Sequence, residues 1–498
     1  MTPKYLGASG HFVHDAAFCQ LDESGNILYA SLTERYTKKK HCRHSTPELW
    51  DLLYHPFKDL PDFQIVCNED FDKKRIVQPG WMDKWRNFSD TNLPMQEQAP
   101  HVWAQYYAGH PMSHACAAFM TRPKSFAKED CVTVTVDGTG ENQAVVIFDS
   151  DMNVVYHQYQ PKSIGYVYGA FTQYCGLGLQ VIHDEYVVMG LSSYGEPTHW
   201  EFVYDAYHSL PESELHATGS THASLMMIKN NVVTPLLDMT NNVEDAAASL
   251  QKAVEVVLYE IMEEARKYGS KLCFSGGVAQ NILANTKIRN LFDDVWVDVC
   301  AHDGGAALGA AGWKFWQDTG IDRVNWEHPF LGHEIEGTVD PEEVVDHLLS
   351  NQICGIANGR AEYSPRAYGN RSLIADVRHD VKDTVNEIKR RQKFRPFAPA
   401  ILEEYADEYF EGPMNRWMQY SAKAKHPYSS VTHVDGTARV QLVSKDHPSV
   451  FRQILECYHD KTGVPMLLNT SLNIRGKPMV NDKQDAIDFE RKYGVKVF

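Results

Sequence analysis

The sequence predicts an α/β protein of two domains, and three patterns carry that prediction. Strand-like and helix-like segments alternate through the middle of the chain. A strand–turn–strand–strand unit occurs twice before them. The last third holds a series of Arg-rich turns that the repeat does not account for. A length of 498 residues suits two large domains or about three ordinary ones.

The first copy of the repeat runs from Tyr5-Leu-Gly-Ala-Ser-Gly10 through Ala16-Ala-Phe-Cys-Gln-Leu21 and the turn Asp22-Glu-Ser-Gly-Asn26 to Ile27-Leu-Tyr-Ala-Ser-Leu32. The second runs from Val132-Thr-Val-Thr-Val-Asp-Gly138 through Ala144-Val-Val-Ile-Phe148 and Asp149-Ser-Asp-Met-Asn153 to Val154-Val-Tyr-His157. Each reads as a strand, a Gly-bearing turn and two strands joined by a polar turn. Two such units are what an actin/Hsp70-like ATPase fold requires, each offering a tight turn whose amides face a nucleotide phosphate. Two unrelated hairpins would read the same way. Residues 44–109, between the copies, are polar and read as irregular or helical. Further on, Val243 to Tyr268 has helical apolar spacing, and Lys271-Leu-Cys-Phe-Ser275 reads as a buried strand entering Gly276-Gly277. Ala279 to Phe292 reads as a helix, Val295 to Val299 as a strand and Gly305 to Asp318 as a helix. Asp322 to Asp340 reads as a linker. The domains are then 1–335 and 342–498.

Bulk properties exclude several classes. Hydrophobic residues make up 43% of the chain, enough for a real core. Mean hydropathy is −0.41, and no run approaches the roughly 18 apolar residues of a membrane span. The start, Met1-Thr-Pro-Lys-Tyr-Leu-Gly7, lacks the design of a signal peptide. Ten cysteines are scattered singly with no C-x-x-C pair, so a reduced, cytoplasmic setting is expected. A net charge of −17 argues against a broad grip on nucleic acid. Two stretches run against that charge: Arg35 to His44, with Lys38, Lys39, Lys40 and Arg43, and Lys73 to Phe88, where Lys73, Lys74, Arg75, Lys84 and Arg86 interleave with Trp81, Trp85 and Phe88. The second reads as a stacking platform for a nucleotide or strand end, or as a solvated helix with its tryptophans turned inward.

His110 and His114 stand four apart at the start of a predicted helix, with Pro111 at an opening position, so both imidazoles share one face. Histidines at this spacing also occur without a metal. Here Asp137 and Asp303 each follow a predicted strand and precede glycines, in Asp137-Gly-Thr-Gly140 and Asp303-Gly-Gly305. Two imidazoles with a carboxylate suit Fe(II), Mn(II) or Zn(II) rather than calcium. A metal there bridges nucleotide phosphates or polarises a carbonyl.

The Arg-rich turns are Gly359-Arg-Ala-Glu-Tyr-Ser-Pro-Arg-Ala-Tyr-Gly-Asn-Arg-Ser372, Phe394-Arg-Pro-Phe-Ala-Pro399, His433-Val-Asp-Gly-Thr-Ala-Arg-Val-Gln441, and Asn469-Thr-Ser-Leu-Asn473 followed by Arg475. Each sets an Arg beside a Gly, Pro or Asn turn, which suits guanidinium forks converging on phosphate or carboxylate oxygens. In this order they resemble the YrdC-like half of the O-carbamoyltransferases, the family that carbamoylates hydroxyl groups of antibiotics and nodulation factors. Upstream, His110-Pro-Met-Ser-His114-Ala115, Val136-Asp-Gly138-Thr-Gly-Glu141, Gly276-Gly-Val-Ala-Gln-Asn281 and Asp303-Gly-Gly-Ala-Ala-Leu-Gly309 resemble the family's N-terminal domain. So do His14-Asp15-Ala16, Glu34-Arg35, Met189-Gly-Leu191 and Tyr194-Gly195. The chain departs from the family pattern at Pro111, Val187, Val188, Gln280, Ser364 and Tyr368.

The resemblance implies an ATP-dependent O-carbamoyltransferase with an actin/Hsp70-like domain followed by a YrdC-like one. Carbamoyl phosphate and ATP, with Mg, would give carbamoyl-adenylate and pyrophosphate in the second domain. The first domain would then pass the carbamoyl group to an acceptor hydroxyl. By the same resemblance His110, His114 and Asp303 would ligate a divalent metal, iron by family likeness with manganese or zinc open. Asp137 would face the metal–phosphate cluster, and Gly138, Gly276, Gly277 and Asn281 would touch the nucleotide. His14 is the candidate general base, since a histidine titrates near neutral pH; the alternative is a turn residue bonded to backbone. In the second domain Arg366, Lys389, Arg395, Arg439 and Arg475 would neutralise the anionic oxygens. Asn469, Ser471 and Asn473 would meet the adenylate or its ribose. A 5-hydroxymethylpyrimidine, free or within DNA, is one candidate acceptor, and a sugar or polyketide hydroxyl another. Two rival readings are a tRNA-threonylcarbamoylation fusion and a non-catalytic ATP-driven binding protein on the actin/Hsp70 fold.

Overall fold

The first strand of each repeat copy begins a five-stranded sheet. A computed structural model describes residues 1–10, 14–43, 45–68, 104–212 and 221–498. The basic and aromatic stretch Lys73 to Phe88 lies outside the described residues, as does His44. The chain divides into two compact units, residues 1–37 with 41–327, and residues 38–40 with 328–498.

In the first unit, β1 (Pro3–Ser9), β2 (Ala17–Asp22), β3 (Ile27–Leu32), β4 (Gln64–Cys67) and β5 (Tyr106–Tyr107) form a sheet in the order β3-β2-β1-β4-β5. The second sheet holds β6 (Cys131–Gly140), β7 (Gln143–Phe148), β8 (Val154–Tyr159), β9 (Lys271–Ser275) and β10 (Asp294–Val297), in the order β8-β7-β6-β9-β10. Directions match as well. The first three strands of each sheet pair antiparallel, and the last two run parallel to the first. The repeat is therefore one topology used twice, the duplication that the actin/Hsp70-like reading requires. The stretch expected to be irregular or helical supplies β4 and β5. They are four and two residues long, too short to show a period, and β4 is a parallel strand read only through its partner β1.

The helices follow local signals. Val243–Ala265 starts at Asn242, whose side chain accepts the Asp245 N–H, and buries Leu250, Val254, Val257, Leu258 and Ile261 along one stripe. The helix expected over 279–292 is broken. A 3-10 turn covers Gly277–Gln280, Asn281 caps a new start, and Ile282–Ile288 follows. Helix Ala306–Thr319 packs on β1 and against helix His110–Met120 at backbone distance. A Cβ on Gly7 would lie 1.9 Å from the Ala307 carbonyl oxygen, and one on Gly309 would lie 1.7 Å from that of Ser113. No side chain fits between these elements, so the starts of both helices are forced together.

In the second unit a mixed sheet runs in the order β12-β14-β20-β15-β19. It comprises β12 (Ile353–Ala357), β14 (Arg371–Ala375), β15 (Ala398–Leu402), β19 (Gln441–Val443) and β20 (Met466–Ser471). Successive residues feed opposite faces, as the two-residue period of a strand dictates. Leu373, Ala375, Ile401 and Leu468 enter one core, and Ile374, Ala400 and Leu467 enter the other with Val344, Leu348, Ile454 and Tyr458 of the flanking helices Pro341–Asn351 and Phe451–Thr462. Three short strands, β16 (Phe410–Glu411), β17 (Ala422–Ala424) and β18 (Thr437–Ala438), form a side sheet. The expected linker contains β11 (Phe330–Ile335), which pairs with β13 (Gly359–Glu362). Pro329, Gly332 and Gly337 give that strand the composition of a connection.

Gly309→Ala is expected to cost about 1–3 kcal/mol through overpacking. The thermal midpoint, followed by circular dichroism, should fall while secondary structure at 20 °C (roughly room temperature) is retained.

Candidate metal and anion sites

Four side chains converge where those elements meet. His110 and His114 come from the first two turns of helix His110–Met120, Asp137 from β6, and Asp303 from the turn that opens helix Ala306–Thr319. One ligand atom from each lies within 4.8 Å of all the others. His114 Nε2 is 3.4 Å from both Asp137 Oδ2 and Asp303 Oδ1, and His110 Nε2 is 3.6 and 3.8 Å from the same oxygens. His114 Nε2 and Asp137 Oδ2 are buried without a hydrogen bond. The geometry thus adds Asp137 to the three ligands expected from sequence. Gly140 makes room for the ring, since a Cβ there would sit 2.0 Å from His110 Cδ2.

The protonation pattern follows from crowding. Desolvation would raise Asp303, but the imidazoles of His14, His114 and His110 outweigh it and hold the carboxyl below the usual range. His14 stands beside the cluster, its Nε2 3.7 Å from Asp303 Oδ2. Burial opposes its charge, yet the carboxylates of Asp303, Asp15 and Asp137 push its pKa up to about 9.

The glycines read as nucleotide contacts gather around Asp137. Gly276 has φ 93°, and a Cβ there would lie 2.3 Å from the Val136 carbonyl oxygen; one on Gly277 would lie 3.1 Å from Asp137 Oδ1. Gly138 donates its N–H to Asp137 Oδ1 at 2.6 Å. Asn281 is used internally. It caps Ala284 and exchanges amide hydrogen bonds of 3.1 and 3.0 Å with Gln251, so its side chain shapes the helix start.

The second unit concentrates the opposite charge. Desolvation, then the nearby Arg366 and, more weakly, Arg395, push Arg439 down to about 9. Arg439 Nε is buried without a hydrogen bond. Arg366 donates to the Met418 carbonyl. Lys389 is held well below its ordinary value by burial, then by Arg391 and Arg395. Its ammonium is occupied by Ser471 and by the Asn473 carbonyl and Oδ1, both at 3.0 Å. Lys389, Ser471 and Asn473 therefore brace one turn, which Arg475 continues by donating its backbone N–H to the Lys389 carbonyl at 2.9 Å. Asn469 donates to Ala367 and Gln441 at 3.1 and 2.6 Å, and its Oδ1 is buried without a hydrogen bond.

Known proteins supply the context for these two clusters. Residues 96–312 match the family model described as carbamoyltransferase N-terminus, and residues 345–498 match carbamoyltransferase C-terminus. The nodulation protein NolO of Bradyrhizobium diazoefficiens is 31% identical over 421 residues, covering 76% of this chain and 75% of that protein. The chain belongs to the carbamoyltransferase family. NolNO of Sinorhizobium fredii is also 31% identical, and there the match spans 61% of the relative's length. Full-length HypF in a phosphate- and nucleotide-bound form aligns with a TM-score of 0.32 at 11% identity, over 65% of this chain and 47% of that one. A likeness that low adds nothing to the topology read from the strands.

Several supporting residues carry no sequence signal for the roles they take, although Glu362 and Arg371 fall inside the first Arg-rich turn. Ser275 Oγ lies 3.5 Å from His114 Nδ1 and 3.1 Å from Asp298 Oδ2, joining the imidazole to a buried carboxylate just past the end of β10. In the other unit Glu362 Oε1 accepts the N–H groups of Tyr368, Asn370 and Arg371 at 2.9–3.2 Å, fixing the turn that carries Arg366. Arg371, fully buried, donates to the carbonyls of His333, Asn358, Gly359, Asn370 and Asn481. Only packing across strands reveals these partners.

His114→Ala is expected to reduce divalent metal bound to purified protein to background. Ser275→Ala and Asp298→Asn should each weaken it roughly 10–100-fold, as loss of a ligand's outer partner does. Metal titration with elemental analysis checks both.

Proposed function

We propose that this chain is an ATP-dependent O-carbamoyltransferase that works through carbamoyl-adenylate. The observation that carries the reading is Arg439, whose Nε is buried without a hydrogen bond while Arg366 and, more weakly, Arg395 repel its charge. Like charges held together by the fold favour an anionic ligand whose oxygens replace the lost water. In the second unit, a YrdC-like adenylate-forming domain on this reading, water hydrolyses carbamoyl phosphate to carbamate and phosphate. A carbamate oxygen then attacks the α-phosphorus of Mg-bound ATP and pyrophosphate leaves. Arg366, Arg395, Arg439 and Arg475 neutralise the oxygens, while Lys389 holds the turn bearing Ser471 and Asn473. Asn469 Oδ1 is the acceptor left for the adenylate.

The first unit completes the transfer. His110, His114, Asp137 and Asp303 fit a divalent metal: two nitrogen and two oxygen donors, with buried ligand atoms lacking hydrogen bonds. That donor set suits iron, manganese or zinc, and such an ion supplies Lewis acidity when bound. The acceptor hydroxyl attacks the carbamoyl carbon, AMP leaves, and His14 Nε2 takes the hydroxyl proton, a role for the neutral ring that a cation among the neighbouring carboxylates would favour by offsetting their upward push on its pKa. Gly138, Gly276 and Gly277 let a nucleotide approach the backbone beside Asp137. Carbamoyl-adenylate is a mixed anhydride, so shielding it from water favours transfer over hydrolysis. Among the described residues no helix is long and apolar enough to cross a membrane. A reduced cytoplasm with its ATP is the setting the reading needs.

The half-reactions should separate. ATP–pyrophosphate exchange dependent on carbamoyl phosphate should survive in His110→Ala and Asp303→Ala, while carbamoylation of acceptor is lost. Arg439→Ala should slow exchange roughly a hundredfold, the scale of one buried charged contact. Exchange lost in the first pair with the fold intact, or normal in Arg439→Ala, counts against the scheme.

The basic and aromatic stretch Lys73 to Phe88 favours a nucleotide acceptor. DNA containing 5-hydroxymethylcytosine should gain a carbamoyl group by mass spectrometry, with a rate that falls with salt and with charge reversal at Lys73, Lys74 and Arg75. Carbamoylation of sugar acceptors alone would assign the hydroxyl to the other class.

A further inference from the structure

His14 is tied to a second buried group that the proposed chemistry has not used. Asp15, only 5% exposed, places its two carboxylate oxygens against two different imidazoles. Oδ2 lies 3.0 Å from His14 Nδ1 and Oδ1 lies 2.7 Å from His41 Nδ1. His41 is anchored in turn, since its backbone N–H donates to Glu34 Oε2 at 2.8 Å and its ring packs edge-on to His183 at 4.4 Å. The backbone is bent to make this possible. Asp15 has φ 57° and His41 φ 53°, both in the left-handed region that non-glycine residues rarely adopt. Gly10 precedes them at φ 65°, where a Cβ would stand 2.3 Å from the His14 carbonyl oxygen. The Ala16 N–H then donates to the Cys42 carbonyl at 2.8 Å, locking the two segments together.

An ionised carboxylate only accepts hydrogen bonds. Both imidazoles must therefore present Nδ1–H to Asp15. For His14 this fixes the orientation of the ring, whose other nitrogen faces Asp303 across 3.7 Å. Asp15, Glu34 and His41 are also close enough to bracket a cation. The contacts of 2.7 and 2.8 Å are direct hydrogen bonds, however, which engage Asp15 with the His41 ring and Glu34 with the His41 backbone N–H. We infer that Asp15, clamped by His41, is the positioning residue that holds His14 with Nε2 directed at the acceptor hydroxyl. This rests on the reading of His14 as the base.

An amide at position 15 presents a donor to one imidazole and an acceptor to the other, so one ring must change tautomer or turn away. Transfer is measured with metal-loaded full-length enzyme, ATP, carbamoyl phosphate and acceptor. Asp15→Asn should lower kcat for transfer roughly 10²- to 10⁴-fold, the range seen when a histidine's orienting carboxylate becomes an amide. The acceptor KM, the pyrophosphate exchange rate and the metal content should stay unchanged. Asp15→Glu keeps the charge and should recover part of the loss. In a His14→Ala background Asp15→Asn should add nothing, because a residue acting only through another is silent once that partner is gone. Normal kcat in Asp15→Asn alongside loss in His14→Ala overturns the positioning role and leaves the base standing. An additive further loss in the double variant also overturns it. A second equivalent of bound metal that disappears in Glu34→Gln would replace it with a cation site. Unchanged transfer in His14→Ala removes the base reading, and this inference with it.

Discussion

Holding two carboxylates side by side, Asp303 buried and Asp137 partly so, is the constraint around which the first unit is built. Asp137 and Asp303 sit in one cluster, each within 4 Å of both His110 and His114. An isolated buried carboxylate costs several kcal/mol, so positive charge has to be brought to the pair. That demand explains the backbone. Gly7, Gly140 and Gly309 remove the side chains that would hold β1, β6 and the two helix starts apart. Ser275 with Asp298 then orients the His114 ring from behind, and Asp15 with His41 does the same for neighbouring His14. A ring free to flip would lose the geometry that the backbone creates.

The second unit solves the reverse problem. Its cations cluster, and the fold restrains them with neutral and anionic groups that are themselves buried. Glu362 gathers three N–H groups of the turn ahead of β14, and Arg371 gathers five carbonyls around it. These two residues spend their charge on backbone. That leaves Arg366, Arg395 and Arg439 as the charges proposed to meet an anion, with Arg366 also donating to the Met418 carbonyl. Arginine suits this division because its fork bonds several oxygens in one plane, whether they belong to carbonyls or to phosphate.

Legibility in the sequence tracked how local each signal was. The His110–His114 pair, the Asp–Gly turns and the duplicated hairpins are written within a few residues, and the structure places them together. β4 and β5 escaped because strands of four and two residues have no readable period. Asn281 and Lys389 were read as ligand contacts because a polar side chain beside a glycine or Arg motif looks the same whether it faces outward or inward. Here both side chains have partners within the protein. Gln251 occupies the first, and Ser471 with Asn473 occupies the second. Asp298 and Ser275 carry no sequence mark at all, since their role exists only across neighbouring parallel strands.

Charge shows the same division between global and local evidence. A net charge of −17 repels anionic ligands at long range. At physiological ionic strength that field fades over about 8 Å, so groups beyond the pocket contribute little to holding the ligand. Inside, desolvation strengthens every contact that remains. A few arginines gathered by turns can therefore bind anions in an acidic protein, and the overall charge then governs only how ligands approach. The composition of this chain thus constrains its encounter with anionic partners, whereas the order of its Arg-rich turns constrains what is held once they arrive.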